Sequence, residues 1–401
     1  MFKNVAISPT HKDWSTCVER PRALYHRNND IRSPFARDYN RLLHCTAYRR
    51  LKHKTQVFFA TTNDHICTRI EHVNHVNAVS YTIAKHMGLN TELTNAIAIG
   101  HDVGHPPFGH TGELIIKDIF NRELNESFWH EKNSLRFVDN LETLEDPNGQ
   151  HYNLNLSYAV RDGIICHCGE VNETAIMPRS DAIPLESIDR PSQYSPFTWE
   201  GCIVKIADKI AYLGRDIEDA RTLNLLSFSE YRELSKTVRP YIKCKLKELS
   251  NTYIMHELII DLCKCSSPEK GITLSHDKLS FINALKDYNY NYIYKHWKIN
   301  CYQEYAELII NTIFRMLKRF YNAKNTFAEI KQYSSSFPLL TRFFYEWLEK
   351  YAKVEKRQKK YKNIVLYNME DERDYISSII DFISGMTDSF AIKIFNEITT
   401  F

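Results

Sequence analysis

The decisive stretch of this sequence, from which both a fold and a chemistry can be predicted, is Gly100-His101-Asp102-Val103-Gly104-His105-Pro106-Pro107-Phe108-Gly109-His110. Its His-Asp pair places an imidazole nitrogen beside a carboxylate oxygen, and divalent metals accept both donors. A His-Asp dipeptide alone is common by chance, but the following His-Pro-Pro-Phe-Gly-His makes the stretch specific. The paired prolines between two glycines must end the helix that precedes them.

The sequence before this stretch predicts amphipathic helices. Apolar residues recur every three or four positions, which is one helix face: Val73, Val76, Val79, Ile83 and Met87. Gly88 is a suitable helix end, and the same spacing then continues to His101. Further upstream, Ser33 to Leu51 has helical spacing, and Gln56 to Phe59 is a short β-rich run.

Histidines are concentrated around the decisive stretch. Eight of the 17 histidines fall between His65 and His130, where an even spread would place about three. Histidine is a common neutral metal ligand and the usual acid–base residue near neutral pH. We therefore expect a metal-binding or catalytic cluster here, with His65, His75 and His86 in structural or surface positions.

A second group of polar residues lies on a long predicted helix, Thr198 to Asn224. These residues share one helix face: Asp208, Tyr212, Arg215, Asp216 and Asp219. Isoleucines and a leucine make up the apolar face. A charged face is more often solvated, but this helix is flanked by apolar sequence, so the polar face is predicted to line a pocket. Asp208, with His72 from the earlier helix, is a candidate to complete a metal site.

Composition limits the class of protein. Only 12 of 401 residues, about 3%, are Gly, whereas the average protein has about 7%. This low glycine content favours an all-helical fold over glycine-rich sheet architectures. The 52 basic and 49 acidic residues nearly cancel. No apolar stretch approaches the ~20 residues of a membrane helix, and the N-terminus lacks a signal peptide. We expect a cytoplasmic protein without membrane contact, with its ten cysteines reduced.

Other local patterns carry weaker signals. Cys166-His167-Cys168 and Cys263-Lys264-Cys265 lack the spacing of a zinc knuckle. Glu145–Asn153 and Met177–Pro196 are predicted loops, and the chain after Asn224 is predicted to be helical. Six basic residues between Lys353 and Lys362 are either a solvated helix face or a phosphate or nucleic-acid contact.

Several stretches, in order, resemble the HD-domain deoxynucleoside triphosphate triphosphohydrolases, the dGTPase-like family. They are residues 32–57, 68–113, 130–136, 207–219 and 381–388. The resemblance implies an all-α fold, with an HD-domain helical core, additional C-terminal helices and little or no sheet. It also implies one domain over 1–401, with the HD catalytic core at 60–222. The helical part 223–401 would complete the nucleotide pocket and make oligomer contacts.

The resemblance implies hydrolysis of a dNTP, with dGTP favoured, to a deoxynucleoside and inorganic triphosphate. One divalent metal ion, Mn²⁺ or Mg²⁺ in first place and Fe²⁺, Co²⁺ or Zn²⁺ otherwise, would be held by His72, His101, Asp102 and Asp208. These two nitrogen and two oxygen donors leave positions for water and a phosphate oxygen. Family members are often homo-oligomers, so a hexamer or a dimer-based assembly is expected.

The remaining site residues are also assigned by resemblance. His110 and Glu113 are the catalytic pair, and His110 either activates the nucleophile or protonates the leaving 5′-oxygen. His105 and His130 contact phosphate or complete the relay. The substrate-binding residues would be Arg69 and Lys209 on phosphate, Gln56 and Asp216 on the sugar, and Tyr212 against the 2′ carbon. A steric block there would exclude ribose, which a plain apolar pocket rejects poorly.

Two other functions stay open at this point. A different HD-superfamily phosphohydrolase, such as a 5′-nucleotidase or a cyclic or alarmone nucleotide hydrolase, would release different products. A nucleic-acid-binding protein on the same scaffold would bind DNA with strong salt dependence and no dNTP turnover. Single-stranded nucleic acid bound at the Lys353–Lys362 run is also a hypothesis for regulation of a catalytic protein. Base preference follows from none of these residues.

Overall fold

The computed structural model describes residues 2–24, 29–59, 63–168, 174–242, 250–355 and 357–400. The described helices are α1 (Trp14–Val18), α2 (Pro34–His44), α3 (Thr46–Arg50), α4 (Arg69–Met87), α5 (Thr91–Gly100), α6 (Gly109–Leu124), α7 (His130–Arg136), α8 (Tyr158–Ile165), α9 (Trp199–Thr222), α10 (Phe228–Val238), α11 (Asn251–Cys265), α12 (His276–Tyr288), α13 (Trp297–Arg319), α14 (Thr326–Gln332), α15 (Pro338–Tyr351), α16 (Glu372–Ser384) and α17 (Asp388–Thr399). None of them combines the length and apolar character needed to cross a bilayer.

Sheet is confined to two small antiparallel pairs in the described part of the chain. β1 (Thr143–Glu145) pairs with β2 (His151–Asn153), and β3 (Ala175–Ile176) pairs with β4 (Ile272–Thr273). The prediction of an all-α fold with little sheet is therefore confirmed. The predicted loop Glu145–Asn153 is in fact the turn of the β1–β2 hairpin and includes β2.

The helices around the decisive stretch form as their apolar spacing predicts. α4 packs against α5 and α9, and the five apolar residues predicted from Val73 to Met87 are buried. α4 ends where Gly88 adopts a left-handed backbone conformation, with φ 81°. The long helix predicted at Thr198–Asn224 is α9, which the Thr198 side chain caps by accepting the Gly201 N–H. These three helices carry all the predicted metal ligands on or next to them.

Of the two upstream predictions, the helical one holds with a break and the strand is wrong. The helix predicted from Ser33 to Leu51 is interrupted at Cys45, whose extended backbone ends α2 and caps α3. The run Gln56–Phe59 bends instead of forming a strand, and Thr55 makes only an isolated bridge to Thr68. Its aromatic residues serve packing, because Phe59 stacks on Tyr302 with ring centroids 5.2 Å apart.

The predicted loop Met177–Pro196 is irregular, apart from a short 3₁₀ turn, but firmly attached. Arg179 pairs with Asp162 of α8 at 2.5 Å and donates to the Tyr158 hydroxyl and the Ser195 carbonyl. Leu185 and Ile188, which belong to this segment, are buried. This segment is therefore part of the packed structure around α8.

The C-terminal helices are packed onto the helix that follows the decisive stretch. α13 and α16 both contact α6, and α13 also contacts α17. Buried hydrophobic residues from Phe2 to Ile394 form one contiguous core. Residues far apart in sequence can thus meet around residues 100–110.

A buried carboxylate joins the N-terminal segment to this core. Glu200, in the first turn of α9, accepts the backbone N–H groups of Ile7 at 3.1 Å and Asn90 at 2.9 Å through one oxygen. Its other oxygen is buried and has no hydrogen-bond partner among the described residues. Burial raises the pKa of the Glu200 carboxyl more than the backbone hydrogen bonds lower it, so this pKa rises from 4.5 to about 7.

Glu200→Gln is expected to flatten the pH dependence of the unfolding free energy. At pH values between 4.5 and about 7, Glu200 of the folded wild-type protein keeps a proton that Glu200 of the unfolded chain has lost. Stability is therefore fully present below pH 4.5 and falls as pH rises through about 7, by about 3 kcal/mol in all. Urea unfolding of both proteins at several pH values measures this difference, and parallel pH profiles would contradict the assignment.

Candidate active site

The decisive stretch links α5 to α6 through a tight loop. Gly104 lies against α7, and a Cβ at this position would lie 2.1 Å from the Ser134 backbone nitrogen, so only glycine fits. Phe108 and Gly109 then both adopt left-handed backbone conformations, with φ of 66° and 59°. This turn starts α6, and so places His110 beside the end of α5.

The structure brings the four predicted metal ligands together. His72 Nε2 lies 2.9 Å from Asp208 Oδ1, and His101 Nε2 lies 3.9 Å from the same oxygen. Asp102 Oδ2 lies 3.7 Å from His101 Nε2 and 4.0 Å from His72 Nε2. The donor atoms of His72, His101 and Asp208 all lie within 4.8 Å of one another, which suits ligands of one cation at metal–ligand distances near 2.1 Å. Asp102 adjoins this group through the two histidines.

The state of His101 shows that these residues fit a divalent metal. Its Nδ1 donates to the Ala98 carbonyl at 2.6 Å, which leaves Nε2 with a lone pair. In the described part of the chain, that Nε2 is buried with no hydrogen-bond partner, an arrangement that is unfavourable unless a cation or water supplies one. Burial lowers the pKa of His101 to about 4, so the imidazole is neutral, as a ligand must be.

The two carboxylates of this cluster stay ionised. Burial raises the pKa of Asp208, but the hydrogen bond and charge of His72 outweigh it and hold this pKa below the usual range. Burial likewise opposes ionisation of Asp102, and Arg69 with the surrounding imidazoles holds the pKa of that carboxyl well below its usual value. Arg69 Nη1 donates to Asp102 Oδ2 at 2.5 Å.

The predicted catalytic pair is also formed, and it extends to a second histidine. Glu113 Oε2 accepts from His110 Nδ1 at 3.1 Å. Glu113 Oε1 accepts from the backbone N–H of His130 at 2.8 Å and from its Nδ1 at 3.0 Å. One carboxylate therefore orients two imidazoles, and the side chain of His110 is 64% exposed, at the mouth of the site.

Glu113 and His130 each favour the charged form of the other and so shift its pKa. Burial raises the pKa of Glu113, but His130 and His110 outweigh it and leave this pKa well below the usual value. Burial lowers the pKa of His130, but Glu131, Glu113 and Asp102 raise it to about 10. Glu113 is thus a carboxylate that holds a cationic imidazole in place.

Asp102 lies between the predicted metal ligands and the histidines next to Glu113. Its Oδ2 faces His72 and His101, and its Oδ1 lies 3.7 Å from His105 Nε2 and 3.8 Å from His130 Nε2. The rings of His105 and His130 stack with centroids 4.0 Å apart. Both ring nitrogens of His105 are buried and unpaired within the described residues, which leaves them available to a ligand.

The predicted substrate-binding residues line the same region to different degrees. Asp208, Tyr212 and Asp216 share the inner face of α9, and Asp216 is buried. Gln56 is buried, with its side-chain oxygen unpaired among the described residues. Lys209 is half-buried beside Asp208 on α9.

Two residues of this site are not among the predicted ones. The first is His167, which in the sequence belongs only to a poor zinc pattern, Cys166-His167-Cys168. It follows the end of α8, where its Nδ1 donates to the Ile164 carbonyl at 2.6 Å, as His101 does to Ala98. Its ring centroid lies 4.9 Å from that of His101 and 5.7 Å from that of His130. The sequence signal for His167 is that it follows an apolar helical segment, as His101 does.

The second missed residue is Tyr294, from a π-helical turn after α12. Its hydroxyl donates to Asp216 Oδ2. Burial, with Asp219 adding to it and the Tyr294 hydrogen bond opposing it, raises the pKa of Asp216 to about 7. Tyr294 lies among several tyrosines in a region without a chemical motif, so the sequence carried no signal for it.

Comparisons with known proteins agree with this geometry. The family model of the HD domain matches residues 69–213, a range that contains all four predicted metal ligands. A deoxyguanosinetriphosphate triphosphohydrolase-like protein of Desulfatibacillum aliphaticivorans is 44% identical over 190 residues, which span 47% of this chain and 48% of that relative.

Other relatives with the same name match nearly the whole chain. The protein of Pelagibacter ubique is 30% identical over 404 residues, which cover 98% of each chain. That of Caldanaerobacter subterraneus is 30% identical over 380 residues, which cover 94% of this chain and 88% of the relative. The likeness therefore includes the helices that follow the HD domain.

Proposed function

Because the chain belongs to the family of deoxyguanosinetriphosphate triphosphohydrolase-like proteins and contains an HD domain, we propose that it hydrolyses dNTPs, with dGTP favoured, to a deoxynucleoside and inorganic triphosphate. One observation carries the proposal. Asp102 presents one oxygen to His72 and His101, and the other to His105 and His130. The proposed metal site and the proposed proton relay would therefore share one carboxylate, which would keep a metal-bound water close to the groups that move its protons.

The proposed metal site consists of His72, His101, Asp102 and Asp208. A divalent cation there would lower the pKa of water and offset negative charge developing at the α-phosphorus. Mn²⁺ and Mg²⁺ are our first candidates, and the mixed nitrogen and oxygen donors also suit Fe²⁺, Co²⁺ or Zn²⁺.

The protein's own groups would handle the protons. In the net reaction a water oxygen bonds to the α-phosphorus, the bond from phosphorus to the 5′-oxygen breaks, and that oxygen receives a proton. Glu113 accepts from Nδ1 of His110, which leaves Nε2 of that ring to exchange a proton with water or with the 5′-oxygen. His105 and His130 would face phosphate oxygens.

The remaining polar residues would bind the substrate. Arg69 and Lys209 would neutralise the triphosphate, Gln56 would contact the sugar, and Asp216 would bind the 3′-hydroxyl. Since Tyr294 of the C-terminal part already contacts Asp216, we propose that residues 223–401 complete the nucleotide pocket of a single domain. Asp216 is half ionised near pH 7 by its raised pKa, so it can donate to or accept from a hydroxyl.

Assembly and location remain proposals from family membership. We propose a cytoplasmic homo-oligomer, a hexamer or a dimer-based form, which sedimentation velocity would test. Regulation by single-stranded nucleic acid depends on the run Lys353–Lys362, of which Lys356 lies outside the described residues. Within it Arg357 donates to the Lys350 carbonyl at 2.7 Å and to Asn363 at 2.8 Å, so this cation is engaged within the protein.

The proposed activity is tested by product analysis. The protein is incubated with each dNTP and each NTP in the presence of Mn²⁺ or Mg²⁺, and the products are separated by anion-exchange chromatography. The proposal predicts deoxynucleoside with intact triphosphate, most rapidly from dGTP. Release of phosphate or pyrophosphate would instead support another HD-superfamily phosphohydrolase. Salt-dependent DNA binding without turnover would support a nucleic-acid-binding protein.

Tyr212→Ala is expected to weaken discrimination against ribose. Tyr212 lies one helical turn after Asp208 on the inner face of α9, where its ring would occupy the space of a 2′-hydroxyl. Removing the ring should lower the ratio of kcat/KM for dGTP to that for GTP by about tenfold or more. Tyr212→Phe keeps the ring and should keep the ratio. An unchanged ratio in the Ala variant would refute the steric role.

A further inference from the structure

A buried carboxylate at the start of α17 reaches both sides of the candidate active site. Asp388 is only 2% exposed. Its Oδ2 accepts the backbone N–H of Thr55 at 2.9 Å and the Thr55 hydroxyl at 2.5 Å. Its Oδ1 accepts the backbone N–H of Phe108 at 2.9 Å. Asp388 thereby joins two segments that lie 333 and 280 positions before it in the sequence.

Each partner of Asp388 adjoins a residue with a proposed role. Thr55 precedes Gln56, the proposed sugar contact, and Phe108 lies two residues before His110. Phe108 has φ 66°, a conformation that a bulky side chain rarely adopts without support. Its backbone N–H points to Asp388, so the carboxylate stabilises the turn that starts α6 and carries His110.

Lys54 ties the same segments together a second time. Its buried ammonium group donates to the carbonyl of His105, in the decisive loop, and to that of Ser384 at 3.0 Å. Tyr302 packs on the outer side, with its ring stacked on Phe59 and edge-on to Phe108. We call the contacts of Asp388 with Thr55 and Phe108 the Asp388 clamp.

We propose that Asp388 is a positioning residue that sets the separation between Gln56 and His110, and thus the alignment of the sugar with the catalytic pair. The inference rests on the proposed function, because it concerns the same site. Asp388 touches no ligand itself in this scheme. Among the described residues, its three hydrogen-bond donors all come from the two segments that flank the site.

Asp388→Asn tests the clamp, because an amide offers one acceptor oxygen where the carboxylate serves donors on both sides. Its NH₂ group must then face either Thr55 or Phe108, which both donate. We expect kcat for dGTP to fall by about 10- to 100-fold, with Mn²⁺ affinity from calorimetry within about twofold of wild type. Hydrogen–deuterium exchange should increase in residues 54–59 and 105–110.

Glu397→Gln is the matched control. Glu397 is also on α17, and its carboxylate accepts two backbone N–H groups, those of Leu339 and Leu340, each at 2.8 Å. These lie at the start of α15, away from the site. The clamp predicts unchanged kcat and unchanged exchange at residues 105–110 in this variant. An equal loss in both variants would overturn the proposal in favour of general destabilisation.

A milder pair of variants keeps the test decisive if Asp388→Asn does not fold. Thr55→Val removes only the hydroxyl donor and should give an intermediate loss of kcat, whereas Thr55→Ser should restore wild-type turnover. Wild-type turnover and exchange in the Asp388 or Thr55→Val variants would overturn the clamp. Absence of dNTP turnover in the wild-type protein would refute the proposed function instead, and the exchange data would still decide whether the clamp exists.

Discussion

Asp102→Asn is expected to weaken Mn²⁺ binding about 100-fold or more and to lower kcat by a factor on the order of 10³. The substitution removes the charge that faces His72 and His101 through one oxygen, and His105 and His130 through the other. The amide oxygen can still accept from Arg69, so the buried guanidinium keeps a partner and the fold should persist.

Calorimetric titration with Mn²⁺ and circular dichroism of the same samples check this expectation. Asp139→Asn is the control, since its carboxylate pairs with Arg161 at 2.6 Å, apart from the site. That variant should bind Mn²⁺ and turn over dGTP as wild type does. Full activity of Asp102→Asn would refute the assignment of Asp102 to the metal site.

Glu113→Gln is expected to lower kcat by about 10²- to 10⁴-fold while Mn²⁺ affinity stays unchanged. Glu113 holds His110 through one oxygen and His130 through the other. A glutamine can replace only one of these acceptors, and its NH₂ group would face an imidazole N–H. The two rings would lose their common orientation, although the metal ligands are untouched.

Glu123→Gln is the matched control on the same helix. Its carboxylate pairs with Lys318 at 2.5 Å, near the far end of α6, and the variant should retain wild-type kcat. Single-turnover kinetics with dGTP separates the chemical step from product release. A Glu113→Gln protein as fast as Glu123→Gln in a single turnover would show that Glu113 has no part in proton transfer.

Helical periodicity predicted the framework of the site, because it depends on geometry that each segment carries locally. The apolar spacing from Val73 to Met87 determines which face of α4 is buried, and hence that His72 faces α5 and α9. The glycine and proline pattern after Asp102 likewise requires that α5 end before Pro106. These features need no knowledge of the rest of the chain, and the structure confirms them.

The contacts that complete the site depend on packing between distant segments, which no local pattern encodes. Asp388 meets Thr55 across 333 positions, and Tyr294 meets Asp216 across 78. In the sequence His167 is only part of a poor zinc pattern, and it is the packing of α8 that places it beside His101. The break at Cys45 is similar, because the residues on both sides favour helix and only the tertiary fold imposes an extended residue between them.

Hydrolysis in water enriched in oxygen-18 shows whether water attacks the α-phosphorus. The protein is mixed with dGTP and Mn²⁺ in labelled water, and the products are identified by mass spectrometry. We expect one labelled oxygen in inorganic triphosphate and none in deoxyguanosine. Label in orthophosphate or pyrophosphate, or in the 5′-hydroxyl of the nucleoside, would contradict this expectation.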